Sequence, residues 1–207
     1  MLFEMNNAGY KTKNQIILGK KTLKVSAGSH LLLLGASGCG KTTLMNIMAG
    51  LLRPSSGEVF FEGKSYASAS DTQMDRLRAN NFGFVFQKLH LIGHLSVAQN
   101  IALAQTKPER TRVQMLIGEL GLSGKEAQKA RDLSLGEAQR VAIARAVANH
   151  PKVIFADEPT SALDDANTKK VMDLLFAQAE KTGATVIAAT HDARIKDRFE
   201  TVLEMAV

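Results

Sequence analysis

The chain of 207 residues has the length of one α/β domain and is too short for two independent hydrophobic cores. Its 45% hydrophobic and 22% charged residues are near the globular average and exclude disorder as the main state, while 5% aromatic residues without any Trp argue against an aromatic binding platform. The 26 Lys and Arg exceed the 20 Asp and Glu, for a net charge of +6, which favours anionic partners and leaves phosphate, membrane and nucleic acid open.

Cellular location is constrained by one Cys and by the pattern of apolar residues. A single Cys cannot form an intramolecular disulfide, which fits a reducing compartment such as the cytoplasm. The start of the chain lacks a signal-peptide pattern, and no run approaches the ~18 apolar residues of a membrane helix. We therefore expect a soluble chain that would serve a membrane only through a partner.

The N-terminal part is predicted to be antiparallel β structure. Glu4 is the only acid among the first thirty residues, which contain several lysines and read as short extended pieces with turns. The segment GEVFFEG (57–63) adds a strand bounded by glycines.

A phosphate-binding loop is predicted between the apolar run SHLLLLGAS (29–37) and a helix. The motif G-x-x-x-x-G-K-[ST] is matched by Gly35, Ala36, Ser37, Gly38, Cys39, Gly40, Lys41 and Thr42. Glycines let the backbone N–H groups turn inward, and the helix N-terminus adds a positive dipole end. We expect Lys41 to reach the β and γ phosphates, Thr42 to ligate Mg²⁺ and Thr43 to donate to the α phosphate. The alternative is a glycine-rich turn that binds nothing.

Helical periodicity dominates residues 88–150 and predicts a helical subdomain inserted between two strands. Near its end, Ser134, Leu135, Gly136 and Glu137 open a long helix-like run. Ser134 followed by Glu137 three residues later forms the capping-box pattern S-x-x-E, which needs no ligand. Taken alone, these residues favour the capping interpretation.

An acidic pair follows the next apolar run, VIFA (153–156). A buried strand would deliver Asp157 and Glu158 at its C-terminal edge, where ligands of open α/β sheets bind. Neighbouring strand residues face opposite sides, so we assign Asp157 to Mg²⁺ and Glu158 to polarising the attacking water. A helix-like segment and the strand ATVIAAT (184–190) complete a predicted α/β core with a parallel sheet, in a single domain over 1–207.

The order of these motifs resembles that of the ATP-binding subunits of ABC transporters, whose signature LSGGQ precedes the second acidic motif. The resemblance covers essentially the whole chain and implies a P-loop NTPase core with a mainly parallel sheet, an antiparallel β portion and a helical subdomain. It implies that Gln87 is the Q-loop residue that senses Mg²⁺, and that Ser161 and Asp164 belong to the D-loop at the dimer interface. His191 matches the switch histidine, and Tyr10 the adenine-stacking aromatic. Each of these, considered singly, also fits an ordinary structural role.

Two signature positions depart from the family pattern: Leu135 replaces the first Gly, and Glu137 replaces Gln. Leu135 could crowd the closed dimer or force another backbone angle, because only Gly visits positive φ freely. Our hypothesis is a competent but slowed ATPase. For Cys39 we favour a small residue at a tolerant position over a reactive thiol of lowered pKa at the helix start.

The resemblance implies that catalysis needs two copies, because the family pairs one subunit's phosphate loop with the other's signature, head to tail. The segment VFQKLHLIGHLSVAQNIAL (85–103) is most similar to the lipoprotein-release, macrolide-export and cell-division branch. We therefore expect ATP and Mg²⁺ as cofactors, and an inner-membrane permease docking near Gln87. No nucleic acid partner and no direct membrane insertion are expected. The location would be cytoplasmic, on the inner face of the membrane. The alternative is a regulatory module that acts on a membrane partner without transport.

Overall fold

The computed structural model describes residues 1–161 and 163–206. Its strands are β1 (Phe3–Lys11), β2 (Ile16–Val25), β3 (Leu31–Gly35), β4 (Ser56–Phe61), β5 (Lys64–Ser65), β6 (Phe82–Val85), β7 (Val153–Asp157), β8 (Thr185–Thr190) and β9 (Thr201–Met205). Its α-helices are α1 (Lys41–Met48), α2 (Asp71–Asn81), α3 (Val97–Ala102), α4 (Arg110–Glu119), α5 (Leu135–Val147) and α6 (Asp165–Thr182). Short 3₁₀ helices cover Ala130–Asp132 and Ala193–Arg198.

The strands form one parallel and one antiparallel sheet. The parallel sheet has the order β6-β7-β8-β3-β9, and the antiparallel sheet has the order β2-β1-β4-β5. The predicted α/β fold with an N-terminal antiparallel portion is confirmed. Because β3 and β7 are neighbours of β8, the C-terminal ends of all three lie along one edge, where the phosphate loop and the acidic pair follow.

The parallel sheet packs against an apolar core on each of its two faces. Along β3 the side chains alternate, so that Leu31 and Leu33 join one core and Leu32 joins the other. The first core includes buried residues of α1 and the antiparallel sheet, and the second includes those of α5 and α6. All three leucines are fully buried, which explains why this strand reads as an uninterrupted apolar run.

In chain order the helices α3, α4 and α5 come between β6 and β7, which pair directly as parallel strands. The helical periods read from the sequence therefore correspond to an insertion in the core sheet. The bounds of this subdomain at about 88 and 150, and the treatment of the chain as a single domain, stay predictions.

Helix α2 and the strands β6 and β9 are among the elements that were not predicted from the sequence. Helix α2 begins with a complete capping box, in which Ser70 and Gln73 bond each other's backbone N–H, so its S-x-x-Q pattern was a readable signal. The short strands β6 and β9 carry a weaker sequence signal. They are four and five residues long and are defined by their pairing with β7 and β3, respectively.

Candidate active site

A cavity of about 530 Å³ collects most of the predicted site residues at the C-terminal edge of the parallel sheet. Its lining consists of Ile17, Ala36, Ser37, Gly38, Gly40, Lys41, Thr42, Thr43, Gln87, Asp157, Glu158 and His191. The residues come from β2, from the loop before α1 and its first turn, from the end of β7, and from the segments that follow β6, β7 and β8. Except for Ile17, every one of them was predicted from the sequence.

The phosphate loop is shaped for an anion by its backbone. Gly40 caps α1 in a left-handed conformation, with φ of 92°, and contributes no side-chain hydrogen bond. A Cβ atom at Gly40 would lie 2.9 Å from the backbone oxygen of Ile17, so a larger residue is excluded by both conformation and space. The first turn of α1 has no acidic residue, which leaves its N–H groups and dipole available to a negatively charged ligand.

Lys41 lines the cavity, and two carbonyl oxygens of the loop hold its ammonium group. Its Nζ donates to the carbonyl oxygens of Gly35 at 2.7 Å and Ala36 at 2.9 Å. The side chain is only 5% exposed, and its Nζ lies 3.9 Å from Oε1 of Glu158. A lysine ammonium has three protons, so one remains for a ligand after the two carbonyl bonds.

Thr42 and Asp157 form the oxygen-rich side of the cavity. The Thr42 hydroxyl lies 3.3 Å from each carboxylate oxygen of Asp157. Burial raises the pKa of Asp157, aided by the nearby Glu158 charge, while the Thr42 hydrogen bond lowers it. Hydroxyl and carboxylate oxygens, with the amide of Gln87 in the same lining, are the hard donors that Mg²⁺ prefers.

A metal ion would need more than this donor set. Within residues 1–161 and 163–206, no group of three or more His, Cys, Asp or Glu could hold a metal. Mg²⁺ commonly takes one or two protein ligands and completes its shell with phosphate and water. The donor set therefore fits Mg²⁺ that arrives with a nucleotide.

Glu158 is fixed by hydrogen bonds to β8 and by an unusual backbone conformation. Its φ of 48° lies in the left-handed region, at a cost of about 1–3 kcal/mol for a residue other than Gly. Its N–H bonds the Ala189 oxygen at 2.8 Å, and Thr190 Oγ1 donates to its Oε2 at 2.7 Å. The side chain is 14% exposed and aimed at the cavity. This positioning is expected of a group that orients a reactant rather than of a strand-end turn.

His191 contacts the same carboxylate. Its Nδ1 lies 3.1 Å from Oε1 and 3.0 Å from Oε2 of Glu158. A carboxylate accepts hydrogen bonds only, so Nδ1 carries the proton and Nε2 is the other functional atom of the ring. Glu158 and His191 therefore form one hydrogen-bonded unit at the cavity.

A second network, not predicted from the sequence, supports this unit. Arg194 donates to both oxygens of Asp192 at 2.8 Å, to Asp165 and to the Leu163 oxygen at 3.2 Å. Arg194 lowers the pKa of Asp192 to about 2, so its carboxylate is ionised at neutral pH. Through Asp192, which also accepts from Thr160, Arg194 ties the loop before α6 to the loop that carries His191.

The segment after Gln87 is fastened to α5. Arg145 donates to the Leu89 oxygen at 2.6 Å and to the His90 oxygen at 2.7 Å. Gln87 itself is exposed and lies two residues beyond β6. Helix α5 thus contacts, through Arg145, the segment that follows the cavity residue Gln87.

The signature residues do not line this cavity. Ser134 caps α5: its Oγ accepts from the N–H of Glu137 at 3.4 Å, while Glu137 accepts from the N–H of Ser134 at 2.8 Å. The capping box, which the sequence predicted as a structural role that needs no ligand, is therefore present. Leu135 is 60% exposed in the first helical turn and is not among the residues with positive φ, so the replacement of Gly imposes no backbone strain here.

Other predicted residues also lie away from the cavity. Tyr10 is half-buried on β1, paired with Leu18, while Ile17 of the neighbouring strand lines the cavity. Ser161 and Asp164 flank Ala162, which lies outside the described residues, and Asp164 caps α6. The role of Tyr10 against adenine and that of the D-loop stay predictions.

Cys39 points into the protein. It is 7% exposed and belongs to the core layer around α1 and the antiparallel sheet. This placement favours the packing interpretation of Cys39 over the reactive-thiol hypothesis.

Iodoacetamide should therefore label Cys39 slowly in the folded protein, at the same rate with and without ATP, because reaction requires exposure of the thiol. Mass spectrometry of the native and urea-unfolded chain measures both rates. Rapid labelling that ATP prevents would restore the reactive-thiol hypothesis.

Comparisons with known proteins agree with this geometry. A family model described as ABC transporter matches residues 18–161. The lipoprotein-releasing system ATP-binding protein LolD of Aquifex aeolicus is 42% identical over 195 residues, covering 91% of this chain and 87% of that protein. The macrolide export ATP-binding/permease protein MacB of Escherichia coli is 37% identical over 203 residues, covering 95% of this chain and 31% of that protein.

A solved structure is similar over nearly the whole chain. The ATP-binding cassette MJ0796, in a dimeric post-hydrolysis state bound to ADP and Pi, has a TM-score of 0.86 and 32% identity, covering 99% of this chain and 94% of that one. The fold and the site therefore define an ATP-hydrolysing nucleotide-binding protein. The chain belongs to the ABC transporter family, in the branch of LolD and MacB, as an ATP-binding cassette. It spans about a third of the length of the export ATP-binding/permease relatives that it matches.

Proposed function

We propose that this chain is the ATPase subunit of an export or release machine, in which two copies bind ATP head to tail and drive a separate membrane permease. The proposal is supported mainly by the separation of the predicted site residues into two groups. Lys41, Glu158 and His191 meet at one cavity, while the helix capped by Ser134 lies outside it. A second copy would supply that helix.

In this site Lys41 and the first turn of α1 would hold the β and γ phosphates. Thr42 and Gln87 would hold Mg²⁺, with Asp157 acting directly or through water, and Thr43 would donate to the α phosphate. The ion would neutralise charge that develops on the phosphates. Lys41 lines the cavity, and one proton of its ammonium remains for a phosphate oxygen after the bonds to Gly35 and Ala36.

Glu158 would take a proton from the attacking water as general base, and its protonated form would return that proton to the phosphate product. Thr190 and His191 fix its carboxylate by hydrogen bonds of 2.7 Å and about 3 Å, so the base is held in place before ATP binds. His191 would present Nε2 toward the γ phosphate. A neutral Nε2 accepts a hydrogen bond, while a protonated ring would donate to the phosphate.

The N-terminus of α5 is suited to bind the phosphate of a nucleotide that the second copy holds. Ser134 uses its oxygen as acceptor in the capping box, and its O–H remains a donor. The N–H groups of Leu135 and Gly136 have no partner inside the helix because they belong to its first turn. MJ0796, which shares the fold, is dimeric in its ADP-bound and phosphate-bound form.

A permease partner is supported by the relatives. LolD is named for a lipoprotein-releasing system, and MacB is named as an ATP-binding and permease protein. Within the part of the chain that the structure describes, no helix is both long and apolar enough to cross a membrane. We place the chain on the cytoplasmic face of the inner membrane, without direct insertion and without a nucleic acid partner. The relatives do not favour the regulatory alternative.

Site-directed crosslinking tests the docking site. Since Cys39 is buried, a Lys88→Cys variant carries one exposed thiol next to Gln87, and Lys24→Cys carries one on β2 as the matched control. In membranes of the source cell, Lys88→Cys should crosslink to an integral membrane protein that stimulates ATP hydrolysis, and Lys24→Cys should not. Equal crosslinking of both variants, or capture of nucleic acid or ribosomes, would contradict the proposal.

The leucine of the signature predicts a slowed enzyme. Because Leu135 is 60% exposed beside the proposed phosphate-binding N–H groups, it would crowd the closed dimer without straining its own backbone. A Leu135→Gly variant should hydrolyse ATP about two- to tenfold faster, despite losing about 0.5–1 kcal/mol of helix stability. Steady-state phosphate release measures this. A wild-type turnover equal to or above that of Leu135→Gly would refute the slowing.

A further inference from the structure

Glu137 forms an ion pair with a residue from another segment of the helical region. Nζ of Lys125, in the loop between α4 and α5, lies 2.6 Å from Oε1 of Glu137. The other carboxylate oxygen accepts from the N–H of Ser134 at 2.8 Å. Both oxygens of Glu137 are therefore occupied at the end of α5 that is proposed to face the nucleotide of a second copy.

This carboxylate is charged at neutral pH. Lys125, and then the Ser134 donors, lower the pKa of Glu137 to about 2. Negative charge in a first helical turn favours the helix, but it also opposes the approach of phosphate to the same turn. A glutamate in this position thus stabilises α5 and weakens it as an anion site, unless a cation lies beside it.

Lys125 meets that requirement. Its side chain is 35% exposed and that of Glu137 is 17% exposed, so the pair lies at the surface rather than in the core. An exposed ion pair contributes little to folding, typically below about 1 kcal/mol. If the pair only stabilises the fold, replacing Lys125 should have a small effect on both stability and ATP-dependent dimerisation. If the pair assists phosphate binding, the effect of replacing Lys125 on dimerisation should depend on the charge of Glu137.

We propose that Lys125 is a positioning residue of the ATP-bound dimer: it neutralises and orients Glu137, so that a signature containing glutamate accepts the phosphates of the ATP held by the second copy. The inference rests on the proposed head-to-tail dimer. It extends that proposal to a residue outside the signature, and it assigns to the Lys125–Glu137 pair the task that an uncharged glutamine performs without help.

A double-mutant cycle tests the pair in the Glu158→Gln background, where hydrolysis does not deplete ATP. The ATP concentration for half-maximal dimer is measured by light scattering. Lys125→Met should raise it about five- to tenfold, and Lys125→Arg less than about twofold. In a chain that also carries Glu137→Gln, the Lys125→Met change should raise this ATP concentration less than about twofold. The matched control is Lys129→Met, an exposed lysine in the same loop, which should also change it less than about twofold.

Added salt should shrink the Lys125→Met effect, while the melting temperature should stay within about 2 °C of the parent. An equal effect of Lys125→Met with Glu137 and with Gln at position 137 would overturn the inference, as would an equal effect of Lys129→Met. A parent that forms no dimer with ATP would instead overturn the proposed dimer, and this inference with it.

Discussion

A Glu158→Gln variant should hydrolyse ATP about 10²–10⁴-fold more slowly than the wild type, because the amide cannot take a proton from water. Thr190 and His191 can still bond the amide oxygen, so the shape of the site and its affinity for ATP should persist. The ATP-bound dimer, no longer dissolved by hydrolysis, should accumulate. Phosphate release and size-exclusion chromatography with ATP measure the two effects.

The matched control for this variant is Glu180→Gln, an exposed glutamate on α6, which should leave both measurements unchanged. Residual activity within tenfold of the wild type would exclude Glu158 as the general base. Failure of Glu158→Gln to dimerise with ATP would contradict the proposed mechanism separately.

A Lys41→Met variant should lose ATP affinity by about 100-fold or more. Methionine keeps the length of the side chain but removes a buried cation and its charge-assisted bonds, each worth ~1.5–3 kcal/mol. The carbonyl oxygens of Gly35 and Ala36 also lose their donor, so a modest loss of thermal stability is expected. Isothermal titration calorimetry with ATP and Mg²⁺ measures the affinity.

Lys24→Met serves as its control, because it removes the same charge from an exposed lysine on β2. The control should bind ATP as the wild type does. An affinity of Lys41→Met within fivefold of the wild type would show that the loop backbone alone holds the phosphates.

Much of this site could be predicted because each motif follows a buried strand. Apolar runs predict β3, β7 and β8, and their parallel pairing brings Lys41, Asp157 and His191 to one edge of the sheet. The glycines of the loop are likewise recognisable, since Gly40 adopts a conformation that other residues rarely adopt. Local sequence and global topology agree at these positions.

The remaining features depend on tertiary contacts. The left-handed backbone of Glu158 contradicts its own residue preference and is held by bonds to β8. Arg194 joins Asp192 to the loop before α6, which no periodicity could show. The orientation of Cys39 depends on which core layer its loop covers, so the sequence left its burial undecided.

Each active site is proposed to be shared between two copies, and mixing two inactive variants tests this sharing most directly. Lys41→Met damages the phosphate loop, and Ser134→Arg blocks the end of α5. Each alone should be nearly inactive, with its fold checked by circular dichroism. In an equimolar mixture about half of the dimers are mixed and contain one site free of both changes, so about a quarter of wild-type ATPase activity should return. A mixture no more active than the average of the two variants would contradict shared sites.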